Sequence, residues 1–559
     1  MVRQQAVSQY LIGVNNMGTK NFNSAKDLIT FTRASGGTAL SKISYGNELI
    51  TNGTFDTDIS GWDTSHSTLS HEFDNGTVKL GYTAYNTWTR QTLSGLVVGN
   101  IYEVKFSVTN DTQGGGGGSY AGIYLSNSDY SDIKRHYYTR GAVETYTFDF
   151  TATATTSQLR LYKGSNTGST NFDNVSVKEV LFDQADGALK LWNYSNNQPR
   201  IEYDATGAVK GLLIEEARTN YYPTSTDTWT AYGNGTHVKT VDSSVVNPTG
   251  AYGSDKITQT NNFGHSYVGY HQSYSTIGTQ ETYSVYLKSA GHNYVRFRMS
   301  NMAGSVNYNF DLSNGSSSLP AIAINSGATG HIEDAGNGWW RCSITYTVTI
   351  ANPYPSIFLM PSADSYDIAQ FQGDGTSGVY MWGHQIETGA FPTSYIPTSG
   401  STATRAADVA TLPRSSFGHN NAASTWVVEF TPTFPQIDTN QRILYRNGSG
   451  YDFHIWSTSV NSMTAQYMNS ASSPNFPITA NQTSKIGVVV KHGEYLSVCV
   501  DGGSISQNSV LSDTTLHTPA VVGYADVDYN LGGNQLGHIK SIKYYPRRVT
   551  NTQLQELTT

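Results

Sequence analysis

At 559 residues the chain is too long for one hydrophobic core and should hold about three to five domains. The 34 Lys and Arg against 42 Asp and Glu give a net charge of −8, and charged residues are only 14% of the chain, well under the usual quarter or so. That balance speaks against nucleic-acid binding through a basic field, and the lack of any run of about 18 apolar residues speaks against a membrane-inserted segment.

With 54 Gly, 38 Tyr and many Asn, Ser and Thr, the composition favours strands and turns, so an all-β protein is expected. The opening MVRQQAVSQYLIGVNNMG has no continuous apolar core and no small-residue cleavage site, so no signal peptide is expected. Residues 1–46 precede the first block. Residues 47–180 form a first β-rich block, in which Tyr102, Val104, Phe106 and Val108 alternate with Glu103, Lys105 and Ser107 as on a half-buried strand.

Within that block, Gly114 to Gly118 have too much backbone freedom for a strand and read as a loop tip. No Lys and helix follow them as a phosphate-cradling loop requires. Lys134-Arg135-His136 is a short isolated basic run, read as a solvated turn. Residues 181–216 read as a connecting segment and 217–400 as a second block, where ETYSVYLKSAG echoes NIYEVKFSVTN of the first. Residues 401–559 form the third block, closing with Thr550 and Gln553 in a capping-box pattern ahead of Leu554 and Leu557. Cys342 and Cys499 stand in different blocks and apolar strand contexts, so they read as small buried hydrophobes rather than a disulfide or a thiolate site.

Sugars offer apolar C–H faces to aromatic rings and hydroxyls to amides and carboxylates. In the first block the candidates for such contacts are Tyr82, Tyr85, Trp88, Gln91, Tyr120 and Tyr124; Tyr85 and Trp88 would serve equally as packing residues. Trp62 is expected to pack the start of the domain, and Trp339, Trp340 and Trp382 the core of the second block. In the third block Tyr451, Phe453 and Trp456 fit a core with an exposed edge.

Carboxylate pairs at strand spacing occur at Glu72-Phe73-Asp74 and Glu202-Tyr203-Asp204, neither inside the third block, where a retaining glycosidase would need two carboxylates about 5–5.5 Å apart. Asp526-Val527-Asp528-Tyr529-Asn530 opens like a calcium loop but lacks the Gly and Glu that complete one. No zinc-binding or acyl-transfer grouping is visible in the sequence.

The first block resembles the carbohydrate-binding jelly-roll modules of glycoside hydrolases and surface proteins, through NGTF at Asn52 to Phe55, Gly61-Trp62, TWTRQTLSGLVVGNIYEVKFSV and FDNVSV. The resemblance implies that Trp88 and Gln91 lie on a ligand-facing strand. It also implies a structural calcium tying the first strand to the last, with Asp173 as carboxylate ligand. An Asp173 that only accepts turn hydrogen bonds fits the residues as well.

A second resemblance, over roughly the whole chain, is to phage virion fibre, spike and tail proteins. It rests on FTRAS at Phe31 to Ser35, PRIEYDATGAVKGLLIEEARTN at Pro199 to Asn220, NGWWRC, YMWGHQIETGAFPTSYIPT and TRAADV, in that order. Residues 1–46 then read as a virion-attachment segment and the start of a host module, and the first jelly roll as a domain inserted into that module, where specificity would vary. The third block resembles laminin-G/concanavalin-like sandwiches through G-x-I-x-x-I-x-Y-Y-P-R-R and the closing TQLQEL.

The fold expected is therefore all-β, two jelly-roll β-sandwich modules followed by a concanavalin/laminin-G-like sandwich. The function implied is that of a non-catalytic virion protein, outside the phage particle, binding bacterial surface glycans and other virion proteins. Such fibres are commonly trimeric, and oligomerisation would multiply weak contacts. The rivals are a virion polysaccharide depolymerase and a purely structural decoration protein.

Overall fold

The structure, a computed structural model, describes residues 30–559 except 66–70, 82–86, 114–120, 128–131, 139–140, 142, 165–166, 183, 185, 228–236, 265–266, 270–275, 301–305, 319–327, 351–352, 363–369, 413–419, 421, 433–441, 447–452, 460, 468–470, 492–493, 510–528 and 534–536. Among the described residues the chain is all-β with one helix, Asn551–Thr558. It divides into two units: residues 43–188, and the host formed by 1–42 with 189–559.

The inserted unit is a β-sandwich. Its long strand Thr170–Phe182 pairs along one edge with Ile101–Asp111, which pairs in turn with Thr145–Thr151. The other edge takes Val78–Leu80 near the start and the stretch from Ile43 of Gly37–Glu48 near the end. The facing sheet has four strands in the order Thr87–Ser94, Thr156–Lys163, Ala121–Ser126, Asp132–Tyr138. Alternation puts Val104, Phe106, Val108, Phe172 and Val177 of the first sheet against Leu93, Ile123, Leu125, Leu159 and Leu161 of the second, all buried. Lys134-Arg135-His136, expected in a turn, lies inside the strand Asp132–Tyr138 instead, because an edge strand leaves Lys134 and Arg135 exposed while the half-buried His136 ring stacks on Phe148.

The NGTF phrase has a steric basis. The Val175 amide donates to the Gly53 carbonyl at 2.8 Å, and a Cβ on Gly53 would stand 1.9 Å from the Val175 carbonyl oxygen. Only glycine admits that approach. Trp62 closes the region, buried against Phe55 and donating from Nε1 to the Asn52 carbonyl.

The host unit holds two sandwiches. One packs the sheet ordered His237–Val246, Tyr252–Gln259, Gly378–Thr388, Gln280–Ala290, Trp340–Thr347, Thr329–Asp334 on a five-stranded sheet running from Tyr267–Gly269 to Ser316–Ser318. The terminal sandwich has a seven-stranded sheet ordered Arg200–Tyr203, Val209–Ile214, Gly537–Tyr545, Ala423–Pro432, Ser484–Lys491, Tyr495–Val500, Ser506–Ser509. Residues 181–216, expected to connect domains, thus hold a hairpin that extends this sheet. Its close approach needs Gly211, whose φ is +127° and whose Cβ would meet the Ile539 carbonyl oxygen at 2.6 Å. Phe31, in the strand Thr30–Thr32, pairs with Ala410 of the opposite sheet and joins the same core.

The helix begins as its sequence dictates: Thr550 Oγ1 accepts from the Gln553 amide and Gln553 Oε1 accepts from the Thr550 amide. Leu554 is fully buried over Gly487.

The phrases FTRAS, PRIEYD, GLLIEEARTN and TRAADV converge on a buried ionic network in the host unit. Arg33 of FTRAS lies 3.1 Å from Asp408 of TRAADV. Arg200 pairs with Asp408 and, at 2.8 Å, with Glu215 of GLLIEEARTN; Arg405 lies 3.5 Å from Glu215. Ser394 accepts from Arg200 and donates to Glu215. Carbonyls of Ser35, Ser195, Thr38 and Glu216 accept from the three guanidiniums. Exposure of the five charged residues is between 0% and 7%.

Removing one partner leaves an uncompensated charge in a dry interior. Asp408→Ala is therefore expected to lower host-unit stability by about 3–5 kcal/mol, read as a fall in the urea midpoint; an unchanged midpoint would remove the network from this role.

Burial opposes ionisation of Glu215, but Arg405, Arg200 and the Ser394 bonds outweigh it and hold the carboxyl at about 2. Because the folded value lies below the ordinary one, its stabilising effect is complete above about pH 4.5 and is lost as the pH falls towards about 2. Glu215→Gln should be less stable at neutral pH and should lose less stability than the parent across that window in acid unfolding followed by circular dichroism.

Candidate functional site

Period-two alternation in the four-stranded sheet of the inserted unit sorts its residues cleanly. In Thr156–Lys163, Ser157, Leu159, Leu161 and Lys163 are buried while Gln158, Arg160 and Tyr162 are partly open on the outer face. Cross-strand register carries this outward. Tyr162 lies opposite Trp88, and Arg160 lies between Arg90 on one side and Tyr124 on the other. Arg135 lies opposite Tyr124 on the next strand. Two rows result, one starting Trp88–Tyr162, the other reading Arg90–Arg160–Tyr124–Arg135.

Ring and guanidinium contacts lock the rows together. Tyr124 and Tyr162 have ring centroids 4.4 Å apart. The Arg90 and Arg160 guanidinium carbons stand 5.1 and 5.3 Å from the Trp88 centroid, and that of Arg135 stands 5.1 Å from Tyr124, within cation–π range. Arg90 donates to Asp63 at 2.8 Å, and Arg90 and Arg160 both donate to Gln158 Oε1. The arrangement presents three half-buried rings beside fixed donors.

Of the residues expected from sequence, the structure brings Trp88 and Tyr124 onto this face. Tyr82, Tyr85 and Tyr120 lie outside the described residues. Gln91 does not belong to the face: three residues from Trp88, it points the other way. Its amide accepts from the Thr51 amide and donates to the Thr51 and Gly61 carbonyls at 2.7, 2.8 and 3.2 Å, stitching the opening loop to the sheet. Tyr162, Gln158, Arg90, Arg160 and Arg135 were missed. Alternation in TSQLRLYK was the available signal for the first two and for Arg160.

Asp173 sits where the inserted unit's opening and closing segments meet, next to the Gly53–Val175 bond. Its two oxygens accept from the amide and side chain of Asn174 at 2.6 and 2.9 Å. Burial raises its pKa, the Asn174 amide lowers it, and the charge of Asp56 raises it again. Asp56 in turn accepts from Thr54. Asp173 is half-buried and Asp56 exposed, and no group of three or more His, Cys, Asp or Glu that could hold a metal ion occurs among the described residues. A second groove, of about 520 Å³, runs over the other sheet beside Glu48, Lys105, Ser107, Ser176 and Lys178; no ring lines it.

The host unit has a cleft of about 670 Å³ lined by Glu202, Lys210, Glu333, Arg341, Thr431 and Lys540, among others. Here Lys210 bridges Glu202 and Glu333 at 3.2 and 3.1 Å, and His538 Nε2 lies 2.5 Å from Glu202. Burial resists both carboxylate charges, yet Lys210, with His538 at Glu202, outweighs it and holds both carboxyls below their usual range. Carboxyls so held stay ionised at neutral pH. The two cysteines are buried and free. Trp339 and Trp382 are buried with Tyr286 and Tyr395. The segment Asp526 to Asp528 and the ring of Tyr451 lie outside the described residues, as do residues 1–29.

No protein-family model matches the chain, and no curated protein matches it. Among solved structures it is similar to the N-terminal CBM22-1–CBM22-2 tandem domain of Paenibacillus barcinonensis Xyn10C, with 11% identity, 62% of this chain and 98% of that chain covered, and a TM-score of 0.20. A score that low decides neither fold nor ligand; the fold rests on the strands and the site on the side chains described above. No helix among the described residues is long and apolar enough to cross a membrane.

Proposed function

We propose that the protein is a non-catalytic saccharide-binding protein of a phage particle, which attaches the virion to glycans of the bacterial surface through the outer face of the four-stranded sheet in the inserted unit. The observation that carries this reading is the half-buried ring set Trp88, Tyr124 and Tyr162 beside the amide and guanidinium donors of Gln158, Arg90 and Arg160. Rings take the apolar face of a pyranose and the donors take its hydroxyls. The phage setting is supported by the ordered phrases from FTRAS to TRAADV, and trimerisation would give the shallow face avidity.

The test is a glycan array followed by calorimetry. Trp88→Ala should weaken saccharide binding by about tenfold or more, in line with the 1–3 kcal/mol typical of a stacked ring, with the melting temperature of the host unit unchanged. Equal binding by the variant would remove this face. Release of new reducing ends from host polysaccharide would favour the depolymerase instead, and unchanged cell attachment after deletion of residues 43–188 would favour a purely structural role.

A calcium ion held by Asp173 and Asp56 belongs to the same proposal; it would fasten the opening loop to the closing strand. Millimolar calcium should then raise the melting temperature of the inserted unit and Asp173→Asn should abolish the rise; an identical melt with calcium and with a chelator would leave Asp173 as a turn acceptor only.

A further inference from the structure

The inserted unit is acidic overall, with nine Lys and Arg against sixteen Asp and Glu over residues 43–188. Yet three of its four arginines, Arg90, Arg160 and Arg135, fall in one cross-strand row on the ring-bearing face. At about 4.8 Å between neighbouring strands the row spans about 14 Å. A neutral sugar needs hydroxyl partners, which amides and hydroxyls supply; this row instead gathers planar, always-charged forks, the side chain best suited to carboxylates and other oxyanions. The forks are also aimed. Arg90 and Arg160 are held over Trp88 and share the Gln158 carbonyl oxygen, and Arg135 lies over Tyr124, so little side-chain freedom remains to be lost on binding.

We infer that the ligand of this face is an anionic saccharide, with its rings against Trp88, Tyr162 and Tyr124 and its acidic groups along Arg160 and Arg135, beside the Arg90 that Asp63 already pairs at 2.8 Å. This rests on the saccharide reading above and adds the charge class. The negative charge of the surrounding unit sets it apart from a nucleic-acid surface, which needs a broad basic field to gather a continuous phosphate chain.

The experiment measures binding of the full chain by calorimetry to polygalacturonate, to the same polymer fully methyl-esterified, to dextran sulfate, to dextran and to a single-stranded DNA oligonucleotide. Expected is binding to at least one anionic polymer about tenfold or more tighter than to its neutral counterpart, the worth of a single charge-assisted hydrogen bond, weakening as salt is raised. Which anionic polymer binds tells carboxylate from sulfate. Arg160→Ala should lower that binding by a similar factor. Arg135→Gln, at an exposed position where folding is not at stake, should lower it too, and Arg160→Lys should restore part of it.

Equal affinity for charged and neutral polymers, with Trp88→Ala weakening both, would overturn the inference and leave saccharide binding standing. Binding to none of the four polysaccharides would sink both. Tighter binding to the oligonucleotide than to any polysaccharide would overturn the inference in favour of nucleic acid.

Discussion

The host unit depends on three guanidiniums and two carboxylates taken out of water together. Each of these charges is costly to bury alone, and the set is tolerable only because every member meets an opposite charge or a carbonyl within hydrogen-bond reach. That requirement makes the network a selector of geometry more than a source of stability. Arg33, Arg200, Glu215 and Asp408 come from four segments spread over 375 residues of sequence, and any misplacement of one strand leaves a naked charge. Apolar cores tolerate slips that such a network does not.

The same constraint explains how a whole domain sits inside the host. Arg33 precedes the insertion and Arg200 follows it, and both close on Asp408. Between them Thr38 donates to the Tyr395 carbonyl and Ser41 bonds to Tyr194, so the host is fixed on either side of residues 43–188. Host contacts hold the chain just before and after the insertion, the insertion's own strands pair Ile43 with Phe182, and loop-closure entropy grows only slowly with what lies between. A chain poor in charge thus spends arginine in two different ways: sealed among carboxylates in the host, and spread over rings at an open face in the insertion.

Much of this was legible locally. The strand alternation of Tyr102 to Val108, the capping box at Thr550 and the burial of Trp62 are all decided within a few residues of where they are read. What escaped was decided by partners far away in sequence. The hairpin of Arg200–Tyr203 and Val209–Ile214 looks like a linker until Gly537–Tyr545, more than 300 residues on, supplies its sheet. Phe31 reads as part of an attachment segment until Ala410 pairs with it. At the site, Trp88 and Tyr124 stood out because large rings draw the eye, while Arg90, Arg160 and Arg135 gain their meaning only from register. Gln91 shows the opposite case: it is close to Trp88 along the chain, but an odd offset on a strand sends it to the other face, where it bonds to Thr51 and Gly61.

That face also separates two demands that usually conflict. The inward residues of Thr156–Lys163, Leu159 and Leu161 above all, carry the sandwich core, while Gln158, Arg160 and Tyr162 stand on the outer face, where the proposed ligand contacts lie. Substitutions on the outer face leave Leu159 and Leu161 in place, so a face that bound saccharide could change without emptying the core beneath it. The host cannot change so freely, since each of its charged phrases is held by the others. On the proposed reading, specificity can drift in the insertion while the frame stays fixed, since the buried network and the outer face share no residue.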